Sequence, residues 1–149
     1  MIALRPAVAA DAPTLGALFT ASRRLLTFLP TLHSPEEDMA FIAGHILPGF
    51  EVTVAEAEGQ IAGYMAEAPG WIEQLYPHPT LLRRGIGSAL LRSAQARQAA
   101  LELWCFEQNM RGRAFYERHG FQVIEQTNGS GNAEGAADLR YRWDADRSH

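Results

Sequence analysis

The stretch Leu75–Leu91, LYPHPTLLRRGIGSALL, constrains the fold more than any other part of the chain. It reads as a strand end, a proline-rich bend, and a basic glycine loop that opens a helix. Gly85 and Gly87 let the backbone turn its amides outward with no Cβ in the way. A helix beginning near Ser88 adds unpaired N–H groups and the positive end of its dipole. This is an anion cradle. Arg83 and Arg84, immediately before it, add positive charge, so the guest it fits is a phosphate or pyrophosphate. A dinucleotide fingerprint shares the glycine pair, and Glu107 lies twenty positions past Gly87, where a ribose-binding acid would sit. That fingerprint needs its glycines straight after a strand, however. Here Pro77 to Arg84, eight residues with two prolines, intervene. A glycine-packed helix start with no ligand remains the plainer alternative.

A chain of 149 residues fits one domain, 1–149, and a domain of this size buries about 70% of the surface its unfolded chain exposes. The formal charge of −4 excludes a generally basic nucleic-acid-binding surface, so any basic site is local. Cys105 is the single cysteine, which rules out an internal disulfide or a multi-cysteine metal site, and no metal is expected. In the apolar run LELWCF it reads as a small buried hydrophobe. No uninterrupted apolar stretch reaches about 18 residues, and Met1–Arg5 lacks a leader pattern. The reading is therefore a cytoplasmic protein with no membrane partner.

In order, Ile2–Leu4 reads as a strand, and Asp11 as the cap of a helix whose apolar face holds Leu15, Leu18, Phe19, Leu25 and Leu26. Pro30 breaks it. Ser34-Pro35-Glu36-Glu37 then supplies a capping box for a second helix to about Leu47, with Met39, Phe41, Ile42 and Ile46 apolar. The connection Phe28–His33 is a loop carrying aromatic and imidazole groups. From Glu51 the pattern switches to period two, giving two strands joined at Glu58-Gly59, and Trp71–Tyr76 follows as a third. After the glycine-loop helix, Leu101–Phe106 is a strand and Asn109 caps a helix to Arg118, stopped by Gly120. Phe121–Glu125 and Leu139–Trp143 are the last strands, and 144–149 reads as a frayed tail.

Taken together, LYPHP before the loop, RRGIGSALL, and Asn109 followed by Phe115-Tyr116-Glu117-Arg118-His119-Gly120-Phe121 resemble the GNAT (Gcn5-related N-acetyltransferase) superfamily over nearly the whole chain. The resemblance implies an α/β (α+β) fold. Its sheet is mixed, mostly antiparallel, of six or seven strands, splayed between strands 4 and 5 and flanked by about four helices. It also implies acetyl-CoA as acyl-donor cosubstrate. The pantetheine would pair with the backbone of Leu75, Tyr76 and Pro77, with help from Asn109. The pyrophosphate would lie on the amides of Arg83, Arg84, Gly85, Ile86, Gly87 and Ser88. Three positions depart from the family pattern: Leu82 where Arg or Gln is usual, Pro77 where valine is usual, and Gly112 where alanine is frequent.

The reaction implied is acetyl transfer to a primary amine of a small molecule by direct attack in a ternary complex. An alkyl amine of pKa ~10 must first lose a proton. Glu73 is the leading base, since strand alternation would set it on one face with Leu75, whose main-chain N–H would steady the oxyanion. Ordered water, His33 and His78 are its rivals. The resemblance matches Tyr116 to the family's tyrosine, which would put it beside the cosubstrate's sulfur as the acid that protonates it. Phe28, His33, Glu134 and Asp138 are candidate acceptor contacts. Two alternatives stay open: a non-enzymatic acyl-CoA-sensing or protein-binding module, and a peptide or protein N-terminal acetyltransferase. A homodimer is one of the assemblies open to the chain.

Overall fold

The computed structural model describes residues 1–82 and 84–148. One seven-stranded sheet in the order β1-β2-β3-β4-β5-β7-β6 organises it. The strands are β1 (Ile2–Pro6), β2 (Glu51–Ala57), β3 (Gln60–Ala68), β4 (Trp71–Pro77), β5 (Ala100–Phe106), β6 (Gln122–Thr127) and β7 (Asp138–Asp144). All neighbours are antiparallel except β4 and β5. The β2–β3 hairpin turns at Glu58 and Gly59 with φ of 54° and 77°, the pair of positive values that a tight two-residue turn needs.

Four helical segments cover the sheet: α1 (Ala12–Arg24), α2 (Pro35–Phe41) running through a π-turn at Ile42–Ile46 into α3 (Leu47–Gly49), α4 (Ile86–Arg97) and α5 (Met110–Arg118). Each sheet face carries its own core. On one, Ile86, Leu90, Leu91 and Ala94 of α4 pack on Met65, Leu75, Leu101 and Leu103, with Phe115 and Tyr116 of α5 alongside. On the other, Leu15, Leu18 and Phe19 of α1 join Ile42 and Ile46 against Val54, Tyr64 and Ala66. A fully buried leucine contributes ~2–3 kcal/mol, so Leu15, Leu90 and Leu91 are anchors of the two layers.

The capping box at Ser34 forms as its sequence requires, with Glu37 N–H on Ser34 Oγ at 3.1 Å and Ser34 N–H on Glu37 Oε1 at 2.9 Å. Asp11 behaves differently from the expected helix cap. Its carboxylate accepts Val8 N–H at 2.8 Å and pairs with Arg5 at 2.9 and 3.0 Å, making no side-chain cap bond to α1. The arginine opposite outcompetes the helix amides. Met39, Phe41 and Leu25 are exposed, so the apolar stripes of α1 and α2 are narrower than the sequence indicates. Ala145–Ser148 form a 3-10 turn held by Ala145 N–H on Ala99 O, where the sequence reads as a frayed tail; His149 lies outside the described residues.

Candidate active site

The site exists because β4 and β5 part company. They share one parallel bridge, Trp71↔Glu102, with Glu102 N–H on Gly70 O at 2.9 Å. Beyond it β4 follows β3 while β5 follows β7 through seven paired residues. A cleft of about 700 Å³ opens between them, with the ends of α1, α4 and α5 around its mouth.

A β-bulge sets the chemistry of the β4 edge. Ile72 pairs with Glu67 and Gln74 with Ala66, leaving Glu73 as the extra residue. The simple alternation that would put Glu73 and Leu75 on one face is thus interrupted. Ile72 and Leu75 both face the α4 core, Gln74 accepts the Tyr64 hydroxyl at 2.7 Å on the other face, and Glu73 is exposed in the cleft, accepting Trp71 Nε1–H at 2.8 Å. Downstream, His78 N–H donates to Ala62 O of β3. Alternation back from there turns the amides of Tyr76 and Gln74 toward β3 and the amide of Leu75 toward the cleft. Pro77 occupies the next cleft-facing position and has no N–H to offer.

At the glycine loop, Gly85 is the N-cap of α4 at φ +83° and provides no side-chain cap, so the first-turn amides of Ile86, Gly87 and Ser88 face the cleft end with no side chain from their own cap. An anionic diphosphate fits this arrangement. Gly87 has a second reason to be glycine: a Cβ there would meet the Phe115 ring at 3.2 Å. Ile86 is buried and offers only its backbone. Arg84 is exposed, and Arg83 lies outside the described residues.

From α5, Asn109 Oδ1 caps the helix through Gly112 N–H at 3.0 Å. Gly112 follows from that cap, because a Cβ would lie 2.5 Å from Asn109 Nδ2. Tyr116 lines the cleft, its ring 5.7 Å from Phe121 and 6.2 Å from Tyr141. Burial pushes its phenol well above the usual tyrosine range. Burial likewise pushes the nearby Cys105 thiol up to about 12, so the one cysteine is a neutral wall of the cleft rather than a thiolate.

The acceptor candidates divide. Phe28 lines the cleft with its ring edge-on to Phe106, centroids 5.9 Å apart. His33 does not line it; it is exposed beside Glu37 at 3.8 Å, two residues before α2 begins at Pro35. His78 caps a 3-10 turn by accepting Thr80 N–H, which ties up its Nδ1. Glu134 is bound to Arg23 at 2.8 Å and is therefore not a naked carboxylate. Asp138, at the start of β7, has its pKa raised by burial and by Glu134. Arg23, which the sequence did not single out, holds Glu134 and lies 6.0 Å from the Phe106 ring of the cleft wall; the Arg23-Arg24 pair ending α1 just before the Phe28 loop was the signal available for it.

The family model described as an acetyltransferase (GNAT) domain matches residues 48–123, which carry β2 to β5, the glycine loop and α5. The chain belongs to the GNAT acetyltransferase family. The GNAT fold is shared in solved structures: apo YjaB from Escherichia coli superposes with a TM-score of 0.81 at 22% identity, covering 96% of this chain and 97% of that one. PaiA N-acetyltransferase from Thermoplasma acidophilum, solved in complex with coenzyme A, gives 0.75 at 19% identity over 97% and 99%. Among curated relatives, the peptidyl-lysine N-acetyltransferase YiaC of Escherichia coli is 30% identical over 73 residues, 48% of this chain and 50% of that protein. The similarity thus spans about half the length of that relative. Among the described residues, no helix is long and apolar enough to cross a membrane.

Proposed function

We propose that this GNAT protein transfers the acetyl group of acetyl-CoA to a primary amine of a small molecule by direct attack within a ternary complex. The observation that carries the reading is the conjunction, in one cleft, of an uncapped α4 N-terminus at Gly85, a free-edged β4, and a protonated phenol at Tyr116. The complexes of PaiA with coenzyme A and of yncA from Salmonella typhimurium with acetyl-CoA support the choice of cosubstrate.

In this reading the amides of Gly85 to Ser88 hold the pyrophosphate, assisted by Arg83 and Arg84, while the β4 backbone from Leu75 to Pro77 aligns the pantetheine. Pro77 contributes a carbonyl and no donor, which lowers affinity without removing the loop contacts. Glu73, directly or through a water, takes the proton from the amine. The Leu75 N–H donates to the oxygen where negative charge develops, and Tyr116 gives its proton to the departing sulfur. Phe28 and Phe106 form an apolar wall on the acceptor side, with Asp138 and the Arg23–Glu134 pair as its polar groups.

The test is release of free CoA from acetyl-CoA across a panel of polyamines, amino acids and aminoglycosides, with calorimetry of CoA binding alongside. Transfer to at least one small amine supports the reading, and absence of CoA binding ends it. A peptide lysine is the second acceptor class, favoured by the name of the relative YiaC. Transfer confined to lysine peptides in the same panel would select it.

A further inference from the structure

His119 makes a contact that neither the proposed mechanism nor the family comparison uses. From the end of α5 its ring reaches across to the glycine loop: Nδ1 lies 2.8 Å from Phe115 O and Nε2 lies 3.0 Å from Ser88 Oγ. The ring also packs on Phe115 at 4.5 Å between centroids, and Gln95 of α4 holds the His119 carbonyl at 2.9 Å. The imidazole is therefore fixed in orientation, with one nitrogen on the tyrosine helix and the other on the third residue of α4.

The bonding partners decide the tautomer. A carbonyl only accepts, so Nδ1 carries the proton toward Phe115 O. In the neutral ring Nε2 is then an acceptor, and Ser88 must donate its hydroxyl proton to it. Ser88 consequently turns its lone pairs, not its proton, toward the place where a diphosphate would sit. If the ring takes up a proton from solvent, both nitrogens donate. Nε2–H then bonds Ser88 Oγ, and the Ser88 hydroxyl proton is released toward the anion. A positive charge is added one hydrogen bond away from it.

The charged residues on the surrounding elements are Arg84 before α4, Arg92 and Arg97 on α4, and Arg111, Arg113, Glu117 and Arg118 on α5. Arg97 is taken by Glu67, Arg113 by Tyr141 and the Glu107 carbonyl, and Glu117 by the Tyr141 hydroxyl. The α5 carboxylate is thus engaged elsewhere, which leaves a bound anion as the natural partner for an imidazolium here.

We propose that His119 is a proton-linked positioning residue for the diphosphate loop: loop occupancy drives its protonation, and protonation reverses the His119–Ser88 hydrogen bond so that Ser88 becomes a donor to the anion. The proposal rests on the assignment of the Gly85–Ser88 loop to the cosubstrate's diphosphate. By reciprocity, affinity for the anion rises as pH falls.

Calorimetry of CoA binding in two buffers of different ionisation heat, at pH about 7, reads the proton uptake directly. Two variants dissect it. His119→Asn keeps a donor for Phe115 O and loses the Ser88 contact, whereas His119→Gln reaches Ser88 and loses the other. Neither side chain titrates. Wild type should take up a fraction of a proton on binding and gain several-fold in affinity between pH about 8 and 6, beyond the change seen in both variants, which share the ligand's own phosphate titration. Nitrogen-resolved NMR of the CoA-free protein should show the Nδ1–H tautomer. Equal proton uptake in wild type and both variants, or an Nε2–H tautomer in the free protein, overturns the proposal while leaving the loop assignment intact. Failure of wild type to bind CoA overturns both.

Discussion

Arg23 at the end of α1 and Glu134 in the β6–β7 loop, 111 positions apart, meet at 2.8 Å, with the guanidinium 5.8 Å from the Phe19 ring and 6.0 Å from the Phe106 ring. The pair ties the end of α1 to the segment before β7, beside Phe106 of the cleft wall. It also neutralises one of two neighbouring carboxylates, since Glu134 is among the groups that raise the pKa of Asp138. Arg23→Gln removes that neutralisation and leaves Glu134 and Asp138 as a two-carboxylate patch. Diamines should then gain over monoamines by about tenfold in kcat/KM ratio, equivalent to ~1.4 kcal/mol. An unchanged ratio in a steady-state comparison of the two amines would detach this pair from acceptor choice.

If Tyr116 is the acid of the leaving step, its ionisation state governs that step. Its pKa is raised by burial, so the phenol keeps its proton at and above the pH where a free tyrosine, near ~10, would lose it. The alkaline side of the rate profile should therefore show no fall from tyrosine ionisation below pH about 10, and the acid limb should belong to the amine and its base. Tyr116→Phe keeps the ring contacts with Phe121 and Tyr141 and removes the proton. It should lower kcat by about 10²-fold with little change in acetyl-CoA affinity. Equal turnover would exclude it as the acid.

Much of this fold was legible because its signals are local. The capping box at Ser34 and Glu37, the positive-φ turn at Glu58-Gly59 and the left-handed Gly85 each depend on residues within a turn of one another. The splay between the fourth and fifth strands came through family resemblance, and the single bridge between β4 and β5 realises it. What the sequence concealed is non-local. The bulge at Glu73 depends on how β4 registers against Glu67 and Ala66. The Arg23–Glu134 and His119–Ser88 contacts join distant segments, and Asp11 left its helix cap for an arginine on β1. His33 lies outside the cleft lining, since loop composition does not reveal the direction in which a loop leaves the core.

Glu73 tests whether the bulge serves catalysis. Glu73→Gln retains an oxygen to accept the Trp71 Nε1–H but has no charge to take a proton. If Glu73 is the base, kcat/KM at pH about 7 should fall by at least tenfold, and the deficit should shrink as pH approaches the amine pKa of ~10, where free amine no longer needs a base. A change under about twofold across that range would assign the proton to water and leave Glu73 as a partner of Trp71.

Gly63, in the interior of β3, links stability to the glycine loop. It pairs with Pro77, and a Cβ at this position would lie 2.8 Å from Ile86 Cγ2, 2.9 Å from Tyr76 O and 3.0 Å from Pro77 Cα. Two of these three atoms are backbone on the cleft-facing strand, and the third anchors the first residue of α4, so neither side yields cheaply. Gly63→Ala should cost ~1–3 kcal/mol, as overpacking does, and lower Tm by about 3–10 °C. Because relief requires Pro77 or Ile86 to move, CoA affinity should fall as well, several-fold beyond any loss traceable to unfolded protein. Gly44→Ala is the matched control: a Cβ there has nothing within 4 Å, and alanine in a helical position is favoured over glycine by ~1 kcal/mol, so Tm should hold or rise with CoA binding unchanged. A Gly63→Ala protein that melts early but binds CoA normally would show that the strand end and the helix start are set independently of the glycine beneath them.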